Sequence, residues 1–158
     1  DTCSGWFRGA NDCFAYKGFQ IIKIISPNKK RFFIINTHMD AGRRDSDRSS
    51  RKKQLDHIVS RVKSLTTSEA LIVAGDLNLH SKSTEDVKLL KNFKEELKLT
   101  DAFEGHQISK KWSILDYILY KQGNEVEFKI ISVGEDKSFV TEEGALSDHP
   151  ALFIELTF

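Results

Sequence analysis

The chain has 158 residues, 39% of them hydrophobic and 30% charged, and a formal net charge of +1. That is one domain or most of one, with the composition of a folded protein rather than a disordered or low-complexity one. The small net charge excludes a whole-molecule attraction to acidic partners, and no apolar run is long enough to cross a bilayer as a helix. The sequence begins at Asp1 rather than Met, so it reads as a processed product or an excised fragment.

Residues 1–18 are rich in Gly and Asn and read as loop. They hold both cysteines, Cys3 and Cys13. These are either two free thiols in a reducing compartment or a disulfide, which would contribute about 3 kcal/mol by loop closure. The clustering favours the disulfide and a secreted protein. Residues 19–25 form a strand, ended by the turn signal Ser26-Pro27-Asn28, and residues 31–37 form a second strand of the same hairpin. Residues 45–64 read as a helix, with Leu55, Ile58, Val59, Val62 and Leu65 at helical spacing and Asp45, Ser46 or Asp47 as cap. Residues 70–74 are a short apolar run typical of a buried strand. A second helix covers residues 84–97, capped by Ser83. Strands follow at 114–120, 126–133 and 151–158. Helices placed between strands predict an α/β or α+β layered fold around a sheet.

Candidate chemistry collects at strand ends. His38 follows one strand, and Asp76 and Asn78 follow another across Gly75. Taken singly, the first is commonly structural and the second commonly a polar turn. Asp116 is different, because it sits within the apolar run Leu115-Asp116-Tyr117-Ile118-Leu119. A carboxylate there is costly unless it is paired. His149, in Ser147-Asp148-His149-Pro150, is the natural partner, and Asp116 would orient it as a base toward water. Asp12 and Lys17 flank a short aromatic segment, and alone they read as a surface ion pair. The run Arg43, Arg44, Arg48, Arg51, Lys52, Lys53, Arg61 and Lys63 reads as a solvated helix face, with a patch for phosphate or anionic lipid as the alternative. Trp6-Phe7 reads as the cap of a core edge rather than a membrane contact.

Together these motifs resemble the endonuclease/exonuclease/phosphatase superfamily, with its deoxyribonuclease I-like fold. Asn36-Thr37-His38-Met39, Arg51-x-x-Gln54-Leu55 and Gly75-Asp76-Leu77-Asn78 look like its central signature. Leu115-Asp116-Tyr117-Ile118 and Ser147-Asp148-His149-Pro150 look like its closing signature. The likeness covers residues 12–158. Asp12-Cys13-Phe14-Ala15-Tyr16-Lys17-Gly18 is similar to a segment of the neutral sphingomyelinase branch, and Leu-Asp-Tyr-Ile-Leu also suits that branch. Before Ser147-Asp148-His149, only Phe139-Val140 stands where bacterial sphingomyelinases carry an aromatic hairpin for membrane entry.

The resemblance implies a layered β-sandwich with flanking helices, of which residues 1–158 are the C-terminal part of a single domain. The superfamily's first half supplies an Asn and a magnesium-binding Glu with no counterpart here, so a missing N-terminal half or a partner chain is expected. It implies a magnesium- or manganese-dependent phosphodiesterase that hydrolyses a phospholipid such as sphingomyelin to phosphocholine and ceramide at a membrane surface. His149 is then the general base, oriented by Asp116. Asp76 positions water or assists at the leaving oxygen. Asn78, His38 and Lys17 hold the phosphate, and Asp148 lies on the metal side. Two alternatives are an endonuclease or exonuclease acting on nucleic acid, and a truncated, inactive relative serving as a binding module. The chain alone is expected to be weakly active or inactive.

Overall fold

The computed structural model describes residues 17–65, 68–106 and 115–158. The pair Cys3 and Cys13, Asp12, Trp6-Phe7 and Ile114 lie outside the described residues. The elements are β1 (Phe19–Ile25), β2 (Arg31–His38), α1 (Asp45–Leu65), β3 (Ala70–Asp76), α2 (Thr84–Leu97) and β4 (Thr100–Asp101). They continue with β5 (Asp116–Lys121), β6 (Lys129–Asp136), β7 (Val140–Thr141), β8 (Gly144–Ala145) and β9 (Ala151–Thr157). A 3-10 turn, Lys137–Phe139, precedes β7.

Five strands form the main sheet in the order β1-β2-β3-β5-β4. The β1–β2 hairpin is antiparallel, β2 and β3 run parallel across the α1 crossover, and β5 runs antiparallel to β3. The two-residue alternation of a strand sends odd and even residues to opposite faces. On one face Ile35, Leu71, Val73 and Leu119 pack with Leu55, Ile58 and Val62 of α1 and Phe93 and Leu97 of α2. On the other, Phe32, Ala70 and Ile72 pack with Val126 and Phe128, joined by Ile34, Ile118 and Leu156. Phe32 meets the edges of Phe128 and Phe158, with centroids 5.3 and 5.0 Å apart. Leu156 of the antiparallel β6–β9 pair and Phe158 just beyond it pack on this second face. The result is helices, a five-stranded sheet and a second, smaller sheet in three layers, the mixed architecture expected. Ile131 of β6 and Phe153 of β9 are exposed on this outer pair.

The helix starts have local causes. Ser83 Oγ accepts the Asp86 amide at 3.2 Å and caps α2. At α1, Asp47 Oδ2 accepts the Arg44 amide at 2.8 Å, the reach-back half of a capping box. One strand differs from expectation. Residues 126–128 are not strand, and β6 starts at Lys129. The Gln122 side chain takes both backbone bonds of Phe128, accepting its N–H and donating to its carbonyl, and Gly123 N–H donates to Val126 O. With those groups satisfied in the loop, Val126 and Phe128 bury side chains without joining the ladder.

Candidate active site

Strand register alone brings three of the candidate residues into one row. His38 is the partner of Asp76 across the parallel β2–β3 ladder, and Asp76 is the partner of Asp116 across the antiparallel β3–β5 ladder. All three take the face that meets the smaller sheet, since they are even-numbered like Ile34, Ile72 and Ile118. His149 arrives from the turn before β9, on the same side. Gly75 makes the row possible. Its φ is +132°, and a Cβ there would lie 2.0 Å from the Thr37 carbonyl oxygen. Only glycine permits so close an approach in that conformation.

The core of the cluster is the contact between His149 Nδ1 and Asp116 Oδ2, at 2.6 Å. Asp76 Oδ2 stands 3.9 Å from the same Nδ1 and 3.5 Å from His38 Nε2. The Asp76 and Asp116 side chains are 14% and 22% exposed, whereas that of His38 is 63% exposed and faces the open side. Burial, and then the charge of Asp76, raise the Asp116 carboxyl above its ordinary range, with His149 pulling it partly back. Burial disfavours protonation of His149, but its hydrogen bond to Asp116 and the charges of Asp116, Asp76 and Asp148 outweigh it. The imidazole therefore sits above its ordinary value. With Nδ1–H held by Asp116, the second ring nitrogen is the one that accepts a proton.

The other candidates have defined places. Asp76 Oδ1 accepts the Asn78 amide at 2.8 Å, and Asn78 adopts φ +50°, a left-handed turn that Asn tolerates. Asn78 is buried, and its side-chain nitrogen donates to Met39 O at 3.0 Å. Lys17 Nζ donates to the same carbonyl at 3.3 Å. Lys17, Thr37, His38 and His57 line a cavity of about 300 Å³ beside the row. Asp148 is exposed and adds its charge at His149.

One feature departs from the sequence reading, and one was not anticipated by it. Arg51 does not belong to the solvated charge run. It is fully buried on α1, bonded to backbone carbonyls and Asp86. Its spacing from Gln54 in Arg51-x-x-Gln54 is the signal that sets it apart. Asp40 is also fully buried, accepting Gln54 Nε2 at 3.2 Å, while its amide donates to Gln54 Oε1 at 3.1 Å.

Among the described residues, Asp76, Asp116 and His149 form a group that could hold a metal ion, with one donor atom from each within 4.8 Å of the others. Two carboxylates and an imidazole suit a divalent cation completed by water or phosphate oxygens. The donor chemistry fits. The 2.6 Å contact, however, is a hydrogen bond between two of the donors, so Asp76 is the member whose oxygens can turn to an ion without breaking the pair.

The family model of endonuclease/exonuclease/phosphatase family 2 matches residues 2–114. The chain belongs to that family. Family members are hydrolases of phosphate esters that generally use divalent metal ions, and this member's Asp116 and His149 lie beyond the matched segment. Solved structures share its fold. A β-hairpin deletion mutant of beta toxin from Staphylococcus aureus is 25% identical with a TM-score of 0.51, covering 70% of this chain and 47% of that one. D. rerio TDP2 complexed with a single-strand DNA product is 15% identical with a TM-score of 0.68, covering 90% and 62%. A mannosyl-6-phosphatase from Bacteroides thetaiotaomicron VPI-5482 is 19% identical with a TM-score of 0.57, covering 82% and 52%. This family member thus spans 47% to 62% of the length of those structures. No curated protein matches the sequence.

Proposed function

We propose that this family member is the base-bearing part of a magnesium-dependent phosphodiesterase that hydrolyses a phospholipid, sphingomyelin above others, to phosphocholine and ceramide. The observation that carries the reading is the 2.6 Å Asp116–His149 pair set beside Asp76. His149 Nε2 takes a proton from water while Asp116 keeps Nδ1–H in place and stabilises the imidazolium that forms. The water oxygen bonds to phosphorus as the ester bond to the leaving oxygen breaks, and that oxygen is finally protonated. Asp76 aligns the water or assists at the leaving oxygen. His38 donates from Nε2 to a phosphoryl oxygen as charge builds there. Asn78 offers a second phosphoryl oxygen the side-chain N–H not taken by Met39 O, and Lys17 attracts the phosphate from the neighbouring cavity. Asp76 and Asp148 would hold magnesium, or manganese, which when bound would neutralise charge at the phosphate and stabilise the leaving alkoxide. The reading includes the family's Asn and metal-binding Glu from outside residues 1–158.

The lipid substrate is supported by the Asp12-to-Gly18 and Leu115-to-Leu119 segments and by Lys17 lying beside His38. Exposed Phe139, Val140 and Leu146 on the β7–β8 hairpin, just ahead of His149, favour contact with a lipid surface. A nucleic-acid substrate is the second reading, favoured by the basic residues around the start of α1 and by the DNA complex of the D. rerio neighbour. Sphingomyelin dispersions, a phosphoinositide and DNA, each assayed with magnesium and with chelator on this chain completed by the family's N-terminal half, distinguish these. Lipid turnover that chelator abolishes and magnesium restores is expected. DNA cleavage with steep salt dependence and no lipid turnover would replace the first reading with the second.

A further inference from the structure

The Arg51-x-x-Gln54 motif has no part in the chemistry just described, yet it holds one of the two fully buried charges among the described residues, the other being Asp40. Burying a guanidinium costs several kcal/mol unless its donors are met, and a buried ion pair is often no more stable than apolar side chains of like volume. Stability alone therefore gives no reason for Arg51. Its bonds do. Nη1 donates to Asp40 O at 3.0 Å and to Gly42 O at 2.9 Å, both in the loop that leaves β2 just after His38. Nη2 donates to Asp86 Oδ1 at 3.2 Å, and the other oxygen of Asp86 accepts the His80 amide at 3.2 Å, in the loop that leaves β3 just after Asp76 and Asn78. Those two loops also bind each other directly, through Met39 N–H to Asp76 O at 2.9 Å and Asn78 Nδ2 to Met39 O at 3.0 Å. Gln54, one turn along α1, grips Asp40 by both amide and carboxylate.

We propose that Arg51 is a positioning residue: its guanidinium ties the loop after His38 to the loop after Asp76 and so fixes the spacing of those two groups over the phosphate. The proposal rests on the phosphodiesterase reading for its kinetic part and on the loop geometry for the rest. Arg51 is fully buried and acts through two carbonyls held by one nitrogen and Asp86 held by the other. A lysine's single ammonium lacks that second, separate donor.

The test uses R51K, R51M and R51M/D86N. The double variant removes both charges and leaves an acceptor for the His80 amide, so its thermal midpoint should recover from that of R51M toward the parent. A residue needed only for folding would recover its rate with it. Instead, kcat for sphingomyelin with magnesium should stay at least about tenfold below the parent, because a displacement of about 1 Å at reacting groups costs up to about a hundredfold. R51K should fall between. In amide spectra of R51M/D86N, the Gly42 and His80 signals should move while those of β1 hold. A stable double variant with parental kcat overturns the proposal. Should the parent show no turnover even when completed by the family's N-terminal half, the phosphodiesterase reading fails separately, and Gly42 and His80 signals unchanged in R51M/D86N still overturn the inference.

Discussion

Replacing Asp116 with asparagine should cut the rate about a hundredfold while leaving the fold intact. The side chains are of equal size, and the amide oxygen of the substituted side chain can still accept Nδ1–H from His149. What is lost is the charge at 2.6 Å, in a site where both side chains are at least two-thirds shielded from solvent. A hydrogen bond to a charged group contributes about 1.5–3 kcal/mol, which corresponds to about 10- to 150-fold in rate when it strengthens with the imidazolium. If the amide turns its NH₂ toward Nδ1, the loss is larger, because the base is then fixed in the wrong tautomer. The pH dependence has a definite sign. Asp116 helps hold His149 above its ordinary value, and His149 works as a base only when neutral. The wild-type rate should therefore rise with pH through a midpoint above the ordinary histidine range, and D116N should move that midpoint downward. Initial rates of phosphodiester hydrolysis with saturating magnesium, taken from about pH 5 to 9, measure both effects. A D116N enzyme with full rate and an unmoved midpoint would refute the pairing as a catalytic device.

His149→Ala removes the base and should lower kcat at least about a hundredfold with little change in thermal midpoint, as measured by calorimetry beside the kinetics. Lys17→Ala should raise KM several-fold with kcat nearly unchanged, whereas a fall in kcat alone would move Lys17 out of the binding role. Gly75→Ala forces a Cβ onto the Thr37 carbonyl at a positive φ, so denaturant titration should show a loss of at least about 1–3 kcal/mol, and a parental midpoint would mean the backbone can relax there. If DNA is cleaved at all, its rate should drop steeply between about 50 and 200 mM salt, and a flat response would rule out binding through the basic residues of α1.

Much of this arrangement was legible in the chain. β1 and α2 have the bounds expected of them, because each has a local boundary signal: the Ser26-Pro27-Asn28 turn at the end of one and the Ser83 cap at the start of the other. Asp116 announced its partner, since a carboxylate in an apolar strand needs one, and it has His149. Misreadings arose where tertiary contacts override local pattern. Val126 and Phe128 are apolar and alternate like a strand, but a Gln122 side chain satisfies the backbone there instead of a neighbouring strand. Arg51 is marked off from its charged neighbours on α1 only by the Arg51-x-x-Gln54 motif, and the position of two distant loops shows why it is inside. Asp40 gave no signal, because its binding partner Gln54 is 14 positions away on another element.

The row His38, Asp76, Asp116 is set by ladder pairing across three strands, not by contacts among the side chains themselves. Length changes in the gene should therefore act very unevenly. Losing one residue inside Ala70–Asp76 would shift every later position by one place, sending Asp76 to the helix-covered face and Leu77 to the phosphate; with the far end of Asp116–Lys121 held, a loss there would do the same with Asp116 and Leu115. The same loss in the Glu142-Glu143 tip between β7 and β8 would leave both pairings untouched. A library of single-codon deletions should thus show two short intolerant blocks at the sheet centre, flanked by segments that accept changes in length.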